Sequence, residues 1–129
     1  MSINRANVIQ LIPAQNATST VTGTGVDVHS YTGTVQVVLA SSVFGGTTPT
    51  CNVKLQDSPD NSAWSDISGA TFTEVTDASD LTEMIALKVN EQAKYIRAVA
   101  TLAGTSPDGN IAVVAVGELQ AGRNASQTI

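Results

Sequence analysis

The sequence predicts an all-β protein, built as one antiparallel β-sandwich or jelly-roll domain with extended N- and C-terminal arms. Apolar and polar residues alternate along most of the chain, and this period of two is typical of strands that bury one face. Charged residues make up only 13% of the chain, about half of the usual share, while Thr, Ser, Val and Ala are abundant. That composition favours pleated strands over helices, which normally carry many Glu and Lys.

Nine segments are predicted to be strands, each bounded by Gly, Pro, Asn or Asp residues that favour turns. Two of them contain the stretches TVQVVLA and IAVVAV, which are apolar on both faces. We expect these two strands to be central, packed on one side and covered on the other. The predicted strands are 19–23, 25–31, 34–41, 51–57, 63–67, 70–75, 84–90, 95–103 and 110–119.

Residues 34–58 and 95–119 resemble each other, and each is predicted to form a long hairpin. Their loops, GGTTPT and GTSPDG, both combine Gly with Pro. Gly permits a positive φ, whereas Pro49 and Pro107 fix φ and lack an amide donor. Each loop is therefore expected to end one strand and to begin the next.

The two ends of the chain differ from the middle. Residues 1–15 have some amphipathic character before Pro13, which would break a continuing helix, and residues 120–129 are small and polar. We therefore divide the chain into an N-terminal arm (1–15), a β-sandwich body (16–119) and a C-terminal tail (120–129). Arms of this kind commonly become ordered on a neighbouring molecule in an assembly.

Trp64 and Tyr95 are the predicted structural anchors of the core. The chain has one Trp, two Tyr and two Phe, and burial of an indole of roughly 200 Å² contributes up to about 5 kcal/mol. We expect Trp64→Ala to cost about 3 to 5 kcal/mol. Tyr95 begins a late strand, where a tyrosine of a sandwich domain can bond back to the backbone; the alternative is an ordinary half-buried aromatic. Cys51, the only cysteine, is expected to be a small buried hydrophobe.

The Asp-rich segment 57–62 is predicted to be a turn rather than a metal loop. Counted from its first residue, an EF-hand loop would require an oxygen ligand in place of Pro59 and a glycine in place of Ser62. Pro59, followed by Asp60 and Asn61, instead favours a tight reversal of the chain. The sequence predicts no metal site and no cofactor.

No pattern in the chain is typical of a catalytic site. The sole histidine, His29, is interpreted as a bystander, and the sequence contains no nucleophile elbow, zinc spacing, phosphate loop or dinucleotide fingerprint. We therefore predict no catalytic residues and expect that the protein is not an enzyme.

The charge of the chain argues against nucleic acid as a partner. The formal net charge is −5, and the six Lys and Arg residues are scattered rather than clustered, so a phosphate backbone would be repelled. The apolar run near the N-terminus is too short for an exported signal or a membrane span. We expect no membrane association and a protein that is cytosolic when it is made.

Several central motifs resemble those of small β-rich proteins from the structural modules of tailed bacteriophages. They are the strand VKLQDS, the turn DNSAWSDI, the late strand YIRA and the hairpin GTSPDG, and together they lie between Gly25 and Gly117. The resemblance implies a structural virion protein similar to capsid decoration (cement) proteins, with the major capsid protein and other copies of the chain as partners. It implies a homotrimer on the outer surface of the head shell and carries no chemistry with it.

In this hypothesis the N-terminal arm lies on the shell, and Ile3, Arg5, Val8 and Ile9 are the predicted partner-binding residues. The alternative is a tail or head-to-tail joining component of the virion. A carbohydrate-binding module is a second alternative, although sugar sites usually need exposed aromatic platforms and the aromatic content is only 4%.

Overall fold

A computed structural model describes residues 6–119, and it confirms the all-β prediction. The described chain contains eight strands, joined in antiparallel pairs, and one 3₁₀ helix (Val89–Glu91). The strands are β1 (Ala6–Ala17), β2 (Val21–Thr22), β3 (Val26–Asp27), β4 (Tyr31–Ser41), β5 (Gly45–Ser58), β6 (Ser65–Thr71), β7 (Leu81–Lys88) and β8 (Tyr95–Leu119).

The 25-residue strand β8 runs through both layers of the fold. Its C-terminal half lies between β1 and β4, and β7 pairs with the other side of β4; we call this layer sheet A. Its N-terminal half lies between β5 on one side and β2 and β3 on the other, and β6 pairs with β5; we call this layer sheet B.

A short connection forces β8 to bend. Asp27 lies opposite Tyr95 at one end of β8, and Tyr31, only four residues later, lies opposite Leu119 at the other end. A straight strand of this length would span roughly 80 Å, so the two ends can meet only if β8 folds sheet A over sheet B. The two sheets enclose one core, which includes Leu11, Ile12, Val35, Val37, Leu39, Phe44, Val53, Leu55, Ile96, Ala98, Ile111 and Val113.

The two predicted hairpins are wrong. Residues 34–58 and 95–119 do not fold back on themselves; each crosses from one sheet to the other, and the two segments pair with each other. The predicted strands 95–103 and 110–119 are therefore the two halves of β8. Alternation of apolar and polar residues shows that a segment is a strand, but it does not show which partner the strand selects.

The two Gly-Thr-x-Pro loops form the corner between the sheets. Gly45 lies opposite Asp108, and Thr50 lies opposite Ala103, with irregular register between these pairs. Both loops have a positive φ at Gly (Gly46 and Gly104) and again two residues later, where Thr48 and Ser106 each adopt φ 50°. The loops thus bend together because they are chemically alike and face each other.

Most of the predicted N-terminal arm lies in a strand of the body. β1 pairs with β8 from Ala6 to Ala17, although Ile3 and Arg5 and the predicted tail 120–129 lie outside the described residues. Gln10 lies opposite Val114 and Ile12 opposite Val113, so Leu11 is an extra residue in β1. This bulge lets both Leu11 and Ile12 enter the core. Two consecutive buried residues interrupt the alternation of apolar and polar residues, so the sequence of β1 does not show the period of two. Pro13 is tolerated because it falls in the next irregularity of the pairing.

Candidate interaction surface

Trp64 lies at the surface of sheet B and is only half buried, so its predicted place in the core is wrong. The guanidinium of Arg97 lies 4.4 Å from the centre of the Trp64 ring, and Arg97 Nε donates a hydrogen bond of 2.9 Å to Gln56 Oε1. The indole therefore buries one face under a cation and packs near Gly25 rather than between the sheets.

Tyr95 is also half buried and lies outside the core, with the ammonium of Lys94 at 5.5 Å from its ring centre. The aromatic residues that do occupy the core are Tyr31, Phe44 and Phe72. Phe44 is the largest fully buried side chain. The sequence pattern does not indicate that Phe44 is a core residue, because Phe44 lies in a Gly-rich loop without alternation. This loop is next to the corner that only the folded chain forms.

The segment 57–62 forms the predicted turn. The Asp60 carboxylate accepts hydrogen bonds from the backbone N–H groups of Ser62 and Ala63, both at 3.0 Å, and it bonds the Ser58 hydroxyl at 3.0 Å. These donors, with Ala63 and Ser62 the strongest, hold the pKa of Asp60 below its usual value. In residues 6–119 no group of three His, Cys, Asp or Glu side chains is placed to hold a metal ion.

His29 is exposed, and its Nε2 atom lies 3.1 Å from the carbonyl oxygen of Gln92. Its backbone N–H donates to Asp27, whose carboxylate also faces Lys94 at 4.0 Å. Cys51 is buried, and burial raises the pKa of its thiol to about 11. A thiol with such a pKa is protonated at neutral pH and is a poor nucleophile.

The outer face of sheet A is apolar over all four of its strands. Val38 in β4 lies opposite Val114 in β8 and Met84 in β7, and Val116 lies opposite Val8 in β1. Val8 is 62% exposed and Met84 is 55% exposed. We call this surface the apolar face; it consists of Val8, Val38, Ala40, Met84, Ala86, Ala112, Val114 and Val116.

Uncharged polar residues lie at the strand edges of the apolar face and at one position within it, and charged residues lie beyond its ends. Gln10 lies on β1 opposite Val114, and Gln36 lies within the face, between Val116 and Ala86. Lys88 and Glu118 lie beyond these rows, opposite Thr34 and Thr32 in β4. A polar rim around an uncharged centre is the usual anatomy of a protein–protein interface.

A shallow depression of about 510 Å³ adjoins the bulky part of the apolar face. Small side chains create it, because Ala40 and Ala112 lie opposite each other and Ala14 lies beside them on β1. At its border, Asn16 Nδ2 donates to Asp108 Oδ1 at 2.7 Å and to Asn110 Oδ1 at 3.1 Å. The surface therefore combines protruding residues with a recess.

The outer face of sheet B is chemically different. Lys54 Nζ lies 3.0 Å from Asp66 Oδ1, and Gln56 Nε2 donates to the same oxygen at 2.8 Å. These bonds hold the pKa of Asp66 below its usual value, with Gln56 the larger cause. Together with Arg97, these residues form a row of hydrogen-bonded polar side chains across β5, β6 and β8, and Trp64 lies against Arg97. Sheet B therefore presents charge to water, whereas sheet A presents an apolar face that no other part of residues 6–119 covers.

The structure describes two of the four predicted partner-binding residues, Val8 and Ile9, and it places them on opposite sides of β1. Val8 lies on the apolar face, whereas Ile9 points to the other side of β1 and packs against the core. Ile3 and Arg5 lie outside the described residues. Within residues 6–119, no helix has the length and apolar character required to span a membrane.

Comparison with known proteins supports the fold. No family model matches the chain, and no curated protein matches it in sequence. The crystal structure of the SPBc2 prophage-derived protein YomS is similar, with a TM-score of 0.50 and 10% sequence identity over 91% of this chain and 96% of YomS. Nearly the whole chain therefore shares its fold with a prophage-derived protein.

Proposed function

We propose that this protein is a structural component of a bacteriophage virion, and that it decorates the head shell by binding the major capsid protein on the outer capsid surface. The observation that carries the proposal is the apolar face, which no other part of residues 6–119 covers, on a body whose other layer is polar. A protein that assembles on a shell as several copies needs such a face for contacts between molecules. The fold shared with a prophage-derived protein and the central motifs support the phage origin.

In the proposed arrangement, the N-terminus contacts the shell. β1 begins at the edge of the apolar face, so Ile3 and Arg5 precede the exposed Val8 by only a few residues. Ile9 contributes to the core of the body instead. We propose three copies in each assembly, because several weak contacts made together can raise the overall affinity by about a hundredfold or more.

We also propose that the protein catalyses no reaction. Its titratable side chains serve local structure: Asp60 holds a turn, Asp66 is paired with Lys54, and Cys51 is protonated in the core. A virion role of this kind requires shape and adhesion, which these interactions support.

The test is to mix the purified full chain with undecorated shells and to examine them by negative-stain imaging and co-sedimentation. We expect regular added density on the shells. A deletion of residues 2–5 tests the role of Ile3 and Arg5 and leaves β1 complete, and we expect it to lower the occupancy. A longer deletion through Ile12 would remove buried core residues and so confound binding with folding.

Two outcomes would contradict the proposal. Shells without added density would exclude decoration, and rings or tubes in the purified protein would favour a tail or head-to-tail joining component. The half-buried Trp64 is the only observation that favours a carbohydrate-binding module, and Arg97 already covers one face of its ring.

A further inference from the structure

We infer that the apolar face of sheet A binds a second copy of this chain. The inference deepens the proposed function, in which several copies associate, and it rests on that function only for its biological purpose. Three properties of the face favour a copy of the chain over another partner: its area, its charge and its shape.

The area of the face suits the centre of a stable contact. Four strands about 4.8 Å apart and three rows of side chains about 6.8 Å apart give a surface of about 400 Å² in plan. A stable contact buries about 800 Å² on each partner. The apolar residues therefore supply most of the centre, with Gln36 among them, and the border residues Gln10 and Thr82 lie where a polar rim is needed.

The charge distribution directs copies to this face. Each chain has a formal charge of −5, so two copies repel each other wherever their acidic surfaces meet. The apolar face contains no charged residue, whereas the outer face of sheet B carries Lys54, Asp66 and Arg97. Contact centred on the apolar face thus leaves charged residues such as Lys88 and Glu118 at its edge, where charge repulsion and the desolvation of ions are smaller.

The shape of the face is complementary to itself. Val8 and Met84 are more than half exposed, in the rows of Val116 and Val114, and the following row is recessed at Ala40 and Ala112. The protruding rows of one copy can enter the recess of the next. Small residues in neighbouring strands at the recess are explained if a side chain from another copy occupies that space.

The experiment measures the association of the full chain alone by analytical ultracentrifugation, without shells. We expect the wild type to form oligomers and Met84→Glu to weaken the association constant by at least about tenfold, because a carboxylate would be desolvated at the interface. Val8→Glu, on another strand of the same face, should act in the same direction. Thr101→Glu is the matched control, because it adds the same charge to an exposed position on the outer face of sheet B.

Melting curves check that the three variants remain folded; Met84 and Val8 are more than half exposed, so Glu is compatible with the monomer at both positions. A wild type that stays monomeric at every concentration would overturn the inference, as would oligomers that Met84→Glu and Val8→Glu weaken no more than Thr101→Glu does. Shells decorated by a monomer would refute only the inference. Oligomers that leave shells bare would refute only the proposed decoration.

Discussion

At the scale of single residues, burial is decided by position in the fold rather than by side-chain size. Trp64 is the largest side chain in the sequence, yet it lies half buried under Arg97 on the outside of sheet B. Phe44 is 1% exposed and packs directly on Gly109, where there is no room for even a Cβ atom. The main aromatic anchor is therefore Phe44.

We predict that Phe44→Ala costs about 3 to 5 kcal/mol of unfolding free energy, because it leaves a cavity at the corner of the two sheets. Trp64→Ala should cost less, about 1 to 2 kcal/mol, since the indole loses one packed face and its cation–π contact. Urea denaturation of both variants measures the difference. Equal losses of unfolding free energy, or a larger loss for Trp64→Ala, would contradict the prediction and would show that Trp64 stabilises the fold as much as Phe44 does.

Cys51 should make the stability of the protein fall at alkaline pH. Its pKa is raised from 9.0 to about 11 in the folded chain, so below pH 9 the thiol is protonated in both states and its contribution is complete. Between these two values the unfolded chain loses the proton and the folded chain keeps it, which lowers the unfolding free energy by at most about 3 kcal/mol. We expect Cys51→Ala to show a shallower decline over this pH range in denaturation measurements. Parallel curves for the two proteins would contradict the prediction.

At the scale of elements, the fold depends on the corner that β5 and β8 build together. Gly46 lies against the carbonyl oxygens of Thr105 and Ser106, and Gly104 lies against Thr48 and Pro49. The two loops thus contact each other reciprocally, because the glycine of each loop lies against the backbone of the other loop just after its glycine. Both glycines also have a positive φ, which other residues adopt only with strain.

We predict that Gly104→Ala destabilises the protein more than Gly33→Ala does. Both positions have a positive φ, at +101° and +71°, so each substitution has a backbone cost of about 1 to 2 kcal/mol. A Cβ atom at Gly33 meets nothing within 4 Å, whereas at Gly104 it meets the backbone of Thr48 and Pro49. Thermal melts of the two variants separate the steric clash at position 104 from the cost of the positive φ, which both variants share. Equal melting temperatures would contradict the prediction, because they would show that the backbone of the corner moves to accommodate the Cβ atom at little cost.

At the scale of the whole molecule, the two outer faces have opposite character. Sheet B carries the ion pair between Lys54 and Asp66, and sheet A carries the apolar face. A long strand shared by both sheets fixes their relative position, so the apolar face is held in one place on the body. Such a body can bind repeatedly without a loop that must first become ordered.

Self-association should strengthen as salt is added. The copies are acidic and the proposed contact is uncharged at its centre, so added ions screen repulsion without breaking ion pairs in the interface. We expect a higher association constant at about 1 M salt, where the screening length is about 3 Å, than at about 0.01 M, where it is about 30 Å. Sedimentation at the two ionic strengths measures the change. Weaker association in high salt would indicate an interface held together by charges.

Much of the local structure is readable in the sequence. The alternation in 34–41, 51–57 and 110–119 correctly predicts strands, and Pro59-Asp60-Asn61 correctly predicts a turn. The hypothesis of central strands with two apolar faces correctly anticipates that the outer side of β4 and β8 is apolar, but no element within residues 6–119 covers that side as expected. The part of the candidate surface on β4 and β8 could therefore be located from sequence, whereas the membership of Met84 and Ala86 depends on the pairing of β7 with β4.

By itself the sequence determined the all-β class, the turn at residues 57–62 and the acidic, weakly charged composition, because these follow from side chains and their near neighbours in the chain. Only the tertiary structure decided that 34–58 pairs with 95–119, that β1 belongs to the body and that Trp64 stays outside the core. It also decided that no element within residues 6–119 covers the second apolar side of β4 and β8. The physical reason is that strand pairing and burial are contacts between residues far apart in sequence, and a period of two is compatible with many such pairings.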